Sequence, residues 1–288
     1  MSGDGSEEKK EVQIRPKHAQ GLGVLASQLD GLKFSAPVPA DSIGSVALRV
    51  QPTDDGRLVI QPNAFMPSTP VTIVLPYPTE ATAAILETKQ LYESNLIRWA
   101  EQFLDRKKSF VDIGAHCGTY TLWFARLCKE VHAFEPSFDN FARLCGGMAL
   151  SGIWNVTPHN MAVGEENASA VMLRRVSDDG GGSTLLPANL VPAQSNQSET
   201  PVQVTTLDSL GLKNVGFIKI DVEGGELEVL RGSKQTLASN NFPKILMEVW
   251  PDKPELEARN LELEAVISEL GYTKVKIAGY PDMVLLSH

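Results

Sequence analysis

The chain is predicted to fold as an α/β domain around a doubly wound, mostly parallel sheet, preceded by a small β-containing addition. Three observations lead there. Short apolar runs of strand length recur at Phe110–Ile113, Val131–Phe134, Phe217–Ile220 and Ile245–Val249, separated by segments long enough to hold helices. Runs that are apolar throughout suit strands buried on both faces of a sheet. The first run leads into a glycine turn, Gly114 to Gly118, where missing side chains let backbone approach another group. With 288 residues, 42% of them hydrophobic, the chain can bury one large core, and nothing forces a second independent domain.

Taken in order, residues 1–40 are polar without a sustained period and are expected to form a mobile tail, with one short helix near Leu22–Leu32. Residues 41–80 carry three strand-like runs, Val46–Val50, Leu58–Gln61 and Val71–Leu75, punctuated by Asp54-Asp55-Gly56 and by prolines. They form the β-rich addition. Residues 81–288 make the main domain. Its approach, Thr79 to Arg106, reads as helical, with Leu86, Leu91, Leu96, Ile97, Trp99, Ala100 and Phe103 as apolar positions. After the first strand a helix is expected over Thr119–Lys129, then the second strand, then a helix capped by Ser137 and running toward Leu150. Asn155–Met161 supplies the third strand. Ala170–Val176 and Val202–Thr206 read as an added hairpin, and between them Ser177–Pro201, rich in Gly, Ser, Asn and Pro, is expected to be a lid loop. Phe217–Ile220, a helix over Gly225–Leu237, Ile245–Val249 and a helix over Pro254–Leu270 come next, closed by strands Thr273–Ile277 and Met283–Leu286.

Glu135 ends the second strand about 20 residues after the glycine turn, the spacing at which an acidic residue meets a ribose in doubly wound folds. The pair points to a nucleoside cofactor. Dinucleotide sites want G-x-G-x-x-G so that a pyrophosphate can sit against the helix N-terminus, and here His116 stands where the middle glycine belongs. That favours S-adenosylmethionine, which has a ribose but no phosphates, over a nicotinamide cofactor.

The chain resembles the FkbM-type S-adenosylmethionine-dependent methyltransferases. The matching blocks are Val111–Thr121, Ala133–Pro136, Ala162–Gly164, Thr206–Asp208 and Phe217–Gly232, so the resemblance spans about Leu91 to Trp250. It implies a seven-stranded, Rossmann-like class I methyltransferase fold with helices on both faces, and methylation of a hydroxyl on a small molecule or glycan. His116 stands where the family usually has asparagine, and Gly225 where it commonly has alanine. Carried onto these blocks, the expected cofactor residues are Asp112 toward the methionine part and Gly114, Ala115, His116, Gly118 and Tyr120 in and after the turn. Glu135 and Pro136 serve the ribose, and Asn160, Met161 and Ala162 lie beside the adenine. Tyr92 and Glu93 face the methionine end. A methyltransferase fold that binds without turnover is the rival reading.

The chemistry needs an aligned acceptor and is helped by a base that removes the hydroxyl proton. Asp221 and Glu223, at the carboxyl end of the Phe217 strand, are the expected catalytic residues, against the plain alternative that they cap the next helix. Glu248 joins them as a candidate cation ligand, but sequence does not bring the three together and no metal is assigned. Lys219 is read as facing away from Asp221 and serving the sheet edge. Trp123 and Trp154 are read as core or adenine-side packing, Trp250 as a stacking surface for the acceptor or as packing. The three cysteines, Cys117, Cys128 and Cys145, form no metal or redox spacing. A net charge of -9 disfavours nucleic acid as the partner, and the absence of a signal-like or membrane-spanning run leads to a cytoplasmic expectation.

Overall fold

Strand β1 (Ala47–Pro52), β2 (Arg57–Asn63) and β3 (Ile73–Pro76) form an antiparallel sheet in that order, β1 and β2 longer than the runs expected there and β3 one residue shorter. The computed structural model describes residues 47–52, 57–63, 71–76, 79, 82, 84–85, 87, 91–175, 182–190, 197–251 and 253–288. The expected tail over residues 1–40 and its short helix lie outside the described residues, as does Leu86. The addition is tied to the main domain through Thr72, whose N–H donates to Ser151 Oγ at 2.7 Å.

Next comes helix α1 (Ser94–Ala100), shorter than the helical stretch expected there because Glu93 adopts a left-handed conformation that stops the helix from extending backward. Leu91, Leu96, Ile97 and Ala100 are buried, as their spacing predicts. The core elements are β4 (Ser109–Ile113), helix α2 (Thr119–Phe124), β5 (Glu130–Phe134), helix α3 (Phe138–Ser151) and β6 (Val156–His159). Helix α2 stops five residues before its expected end. Leu127 N–H closes a turn on the Phe124 carbonyl and Asn155 Nδ2 donates to the Ala125 carbonyl, which satisfies the helix end. Ser137 precedes α3 but makes no side-chain cap; its N–H is turned to Glu135 instead.

A second insertion lies between β6 and the fourth core strand. Strands β7 (Ala162–Val163), β8 (Ala168–Arg175) and β9 (Gln197–Thr205) form a separate sheet in the order β7-β9-β8, with β8 and β9 antiparallel. The hairpin read from sequence is present, but residues 197–201, expected in the open connection, belong to β9. Of that connection, residues 182–190 are also described, and Thr184 and Leu186 within it are buried. The chain then makes β10 (Val215–Ile220), helices α4 (Glu226–Arg231) and α5 (Lys234–Ser239), β11 (Lys244–Glu248), helix α6 (Glu257–Glu269), β12 (Thr273–Ile277) and β13 (Tyr280–Ser287). One helix was expected where α4 and α5 stand. Gly232 stands between them, and the position requires glycine because a Cβ there would lie 1.9 Å from the Gly164 carbonyl oxygen. Asp208 then accepts the N–H groups of Gln235 and Thr236, starting α5 afresh.

The central sheet runs β12-β13-β11-β10-β4-β5-β6, with β13 antiparallel to both neighbours and the pairs from β11 to β6 parallel. This is the seven-stranded, mostly parallel sheet that the resemblance implies. Beneath its centre, Phe110, Phe124 and Phe217 pack ring against ring, with centroids 5.0 Å and 5.8 Å apart for Phe110 with Phe124 and with Phe217. The alternate positions of β4 and β10, Val111, Ile113, Ile218 and Ile220, belong with Ile245 and Met247 of β11 to a second, larger buried cluster. Trp154, expected inside, is 79% exposed, since its position follows the αL glycine Gly152 that ends α3 and precedes β6.

Gly114 shows how closely β4 and β10 approach. Its φ is +81°, and a Cβ would lie 1.7 Å from the Asp221 carbonyl oxygen. The glycine is required first by this neighbouring backbone, whatever else approaches it. Gly114→Ala is expected to destabilise the protein by about 3 kcal/mol or more, combining backbone strain with overlap. Thermal denaturation with unchanged stability would show that the two loops separate at no cost.

Candidate functional site

At the seam between β4 and β10 the strand order reverses, and a cavity of about 870 Å³ opens at the carboxyl ends of these strands. Gly114, Ala115 and His116 line one wall with Phe134, Glu135 and Pro136. His116 has φ +51°, a conformation that asparagine and histidine adopt more readily than most residues. In it, His116 N–H reaches Glu135 Oε2 at 2.8 Å, while Ser137 N–H reaches Glu135 Oε1 at 2.8 Å. The carboxylate is thus fixed from two sides and keeps lone pairs for two further donors. Burial raises the pKa of Glu135, and His116 together with the two N–H groups opposes that rise.

The opposite wall comes from the segment before α1. Tyr120 donates its hydroxyl to Glu93 Oε2 at 3.0 Å, and the hydroxyls of Tyr92 and Thr119 share a hydrogen bond at 2.9 Å. These contacts hold the left-handed turn against the start of α2, so that Tyr92, Glu93 and Tyr120 all line the cavity. Burial pushes the Glu93 carboxyl up, with Lys219 opposing.

Lys219 corrects the sequence reading. Residues two apart on a strand share a face, so Lys219 points to the same side as Asp221. Its Nζ lies 3.0 Å from Asp221 Oδ2 and 3.8 Å from Asp112 Oδ1, donates to the Gly114 carbonyl at 3.3 Å, and sits 5.0 Å from the centre of the Tyr120 ring. Burial by itself would lower the lysine pKa; Asp221, Asp112 and Glu93 outweigh it and keep the ammonium charged. Period-two spacing was the available signal.

Asp221 and Glu223 both line the cavity, and neither occupies a helix-cap position. The N-cap of α4 is Gly225, while Glu226 Oε1 accepts the N–H groups of Gly224 at 3.1 Å and Val222 at 3.4 Å. Glu223 has φ +57°, and its carbonyl accepts Thr184 Oγ1 at 2.7 Å. The loop is built to present these side chains, not to start a helix. Among the described residues, Asp221, Glu223 and Glu248 bring one carboxylate oxygen each within 4.8 Å, close enough to hold a divalent cation or to share a proton. Burial, and then Asp221, Glu223 and Glu226, push the Glu248 carboxyl up to about 10.

Four expected cofactor residues stand behind the cavity wall. Asp112 is fully buried and accepts Thr121 Oγ1 at 2.5 Å, so it reaches the site only through Lys219. Gly118 starts α2 with φ +87° and faces Leu144, whose Cδ1 would lie 2.4 Å from an added Cβ. Asn160 Nδ2 donates to the carbonyls of Glu135 and Pro136, and Met161 packs against the main core. Ala162, the third of that strand end, does line the cavity. Trp250, expected either as a stacking surface for the acceptor or as packing, packs against Leu186 and Leu256 with Lys253 Nζ 3.1 Å from its ring centre. Thr184 and Leu186, in the segment expected as a lid, line the cavity together with Met172 of β8 and Arg259 of α6, to which sequence reasoning gave no role. No local motif marks Met172 or Arg259.

A family model described as the methyltransferase FkbM domain matches residues 112–274. A curated protein described as "Methyltransferase 1" from Beauveria bassiana (strain ARSEF 2860) is 32% identical over 142 residues, covering 42% of this chain and 57% of that protein. The chain therefore spans little more than half the length of this relative. The crystal structure of methyltransferase FkbM from Methylobacillus flagellatus KT aligns with a TM-score of 0.46 at 18% identity, over 68% of this chain and 46% of that one. TYW2 of M. jannaschii, solved in complex with AdoMet, aligns with a TM-score of 0.40 at 12% identity, over 84% of this chain and 90% of that one.

Burial raises the Glu226 pKa to about 7 against an ordinary 4.5. A raised folded-state value means that its contribution to stability is fully present below the unfolded pKa and is lost as pH rises through 7. Glu226→Gln retains an acceptor for the two N–H groups and removes the ionisation. Its melting temperature relative to the wild type is expected to rise steadily between pH 5 and pH 8; a difference independent of pH would show that Glu226 ionises without cost.

Proposed function

The chain belongs to the methyltransferase FkbM domain family, and we propose that it transfers a methyl group from S-adenosylmethionine to a hydroxyl of a small molecule or glycan. The observation that carries this reading is the Glu135 carboxylate, lining the cavity and fixed through both oxygens beside the glycine turn. Its remaining lone pairs suit a ribose diol, and the small residues Ala115 and Ala162 leave room beside it. At the other end Glu93 supplies a carboxylate for an ammonium group. The residues present fit the cofactor.

When bound, S-adenosylmethionine supplies a methyl group activated by a sulfonium. The chain's part is to bind, align and take a proton. Asp221 is placed to receive the acceptor's hydroxyl proton, and the Lys219 ammonium at 3.0 Å fixes which way its carboxylate turns. Asp112 holds Lys219 from behind and Tyr120 flanks it, making both positioning residues. Glu223, presented by its strained loop, faces the same cavity and is the second acidic group available to an acceptor.

Calorimetric titration tests the cofactor half. Glu135→Ala is expected to weaken S-adenosylmethionine binding by about 10- to 100-fold, the equivalent of one charge-assisted hydrogen bond at ~1.5–3 kcal/mol, with folding intact. Unchanged affinity in a folded variant removes Glu135 from the ribose site.

Single-turnover methyl transfer tests the base. Asp221→Asn keeps the shape and loses the charge, and is expected to slow transfer by about 100-fold or more with a smaller change in cofactor affinity. Near wild-type transfer assigns the proton to another group.

A further inference from the structure

The cavity continues past the residues assigned to the cofactor, and its far wall is the inserted sheet. Ala168, Ala170 and Met172 occupy alternate positions of β8 and all three line the cavity, so one face of that strand is a cavity wall. Val204 lies opposite Ala168 in register and lines it too. Across the gap, Leu186 is 4% exposed and closes the other side. Two alanines followed by a methionine leave open space near the start of the strand and fill it farther along. The surface between is apolar.

The charged lining is one-sided. Glu165, Glu166, Glu223 and Glu228 are among the lining residues; Glu165 is paired with Arg231 at 3.6 Å, and Arg259 already donates to Glu228 and to the Gly224 carbonyl. Lys219 is held by Asp221. An anionic group entering here meets carboxylates and finds Lys219 and Arg259 engaged, an unfavourable like-charge contact. A neutral hydroxyl or a cation meets no such barrier.

We infer that the acceptor is a predominantly apolar molecule, neutral or cationic, held against the Ala168–Ala170–Met172 face of β8, and that carboxylate- and phosphate-bearing acceptors are rejected. The inference rests on the site being the methyl-transfer pocket. It narrows the acceptor away from sugar phosphates and nucleic acids and assigns selection by size to the two alanines.

Binding to the full-length protein saturated with S-adenosylhomocysteine tests it, using three probes that share one ring system: naphthalen-1-ylmethanol, naphthalen-1-ylmethylamine and 1-naphthoic acid. At neutral pH the alcohol and the amine are expected to bind at least about tenfold more tightly than the acid. Ala168→Trp and Ala170→Trp are each expected to weaken the alcohol by about tenfold or more while leaving the Kd for S-adenosylhomocysteine within about twofold. Ala168 is exposed, so its variant is the safer for folding. Acid binding as tight as the alcohol or amine overturns the charge selection. No binding of any probe, or alcohol binding untouched by both tryptophans, overturns the placement on β8. A wild-type protein that fails to bind S-adenosylhomocysteine overturns the methyltransferase reading itself and this inference with it, whereas the other outcomes leave that reading standing.

Discussion

The Lys219 ammonium, buried at the seam between β4 and β10, decides what its surroundings must be. A lone buried charge costs far more than a folded domain can carry, so the ammonium persists only where partners enclose it. Asp221, Asp112, the Gly114 carbonyl and the Tyr120 ring do so, and each belongs to a different part of the site. One cation therefore ties the glycine turn after β4, the acidic loop after β10 and the start of α2 into a fixed relation. Removing it would leave Asp112 fully buried with only Thr121 to satisfy it. The lysine is the condition for the carboxylates being there at all.

Around that centre the backbone is strained in a consistent way. Glu93, His116 and Glu223 all have positive φ, and all three line the cavity. Such conformations are retained when surrounding contacts over-determine them, and each here has its fastening: Tyr120 on Glu93, Glu135 on His116, Thr184 and Glu226 on the loop holding Glu223. The strain aims side chains and N–H groups into the cavity that an ordinary helix start or strand end would turn elsewhere.

The core strands and the Gly114–Glu135 relation were legible because they are local: a continuous apolar run, a glycine turn and an acid at a fixed offset each announce themselves within about 25 residues. Element ends were less so. Gly232, between α4 and α5, is required by the Gly164 carbonyl, a contact far away in sequence, and no window around Gly232 contains it. Asp112 and Asn160 were legible as important and wrongly placed, since a strand-end residue can serve the wall as well as the cavity. Lys219 was legible and misread, because period two was not carried through to its consequence. The face of β8 was out of reach, as alternate small residues on a strand say nothing until the sheet's position is known.

The two strands that create the site are distant along the chain. Lys219 and Gly114 are 105 positions apart, and the segment between them includes two further core strands and the whole inserted sheet. Contacts of such separation carry a loop-closure cost that must be met before they return anything, so this seam belongs among the slower steps of folding. During synthesis the cradle for a ligand comes into existence only after β10 has emerged and docked. A ligand bound across the seam recognises the closed arrangement alone, and so shifts the balance toward the finished fold in proportion to its concentration over its Kd. Supply of the small molecule thereby becomes a determinant of how much completed protein accumulates.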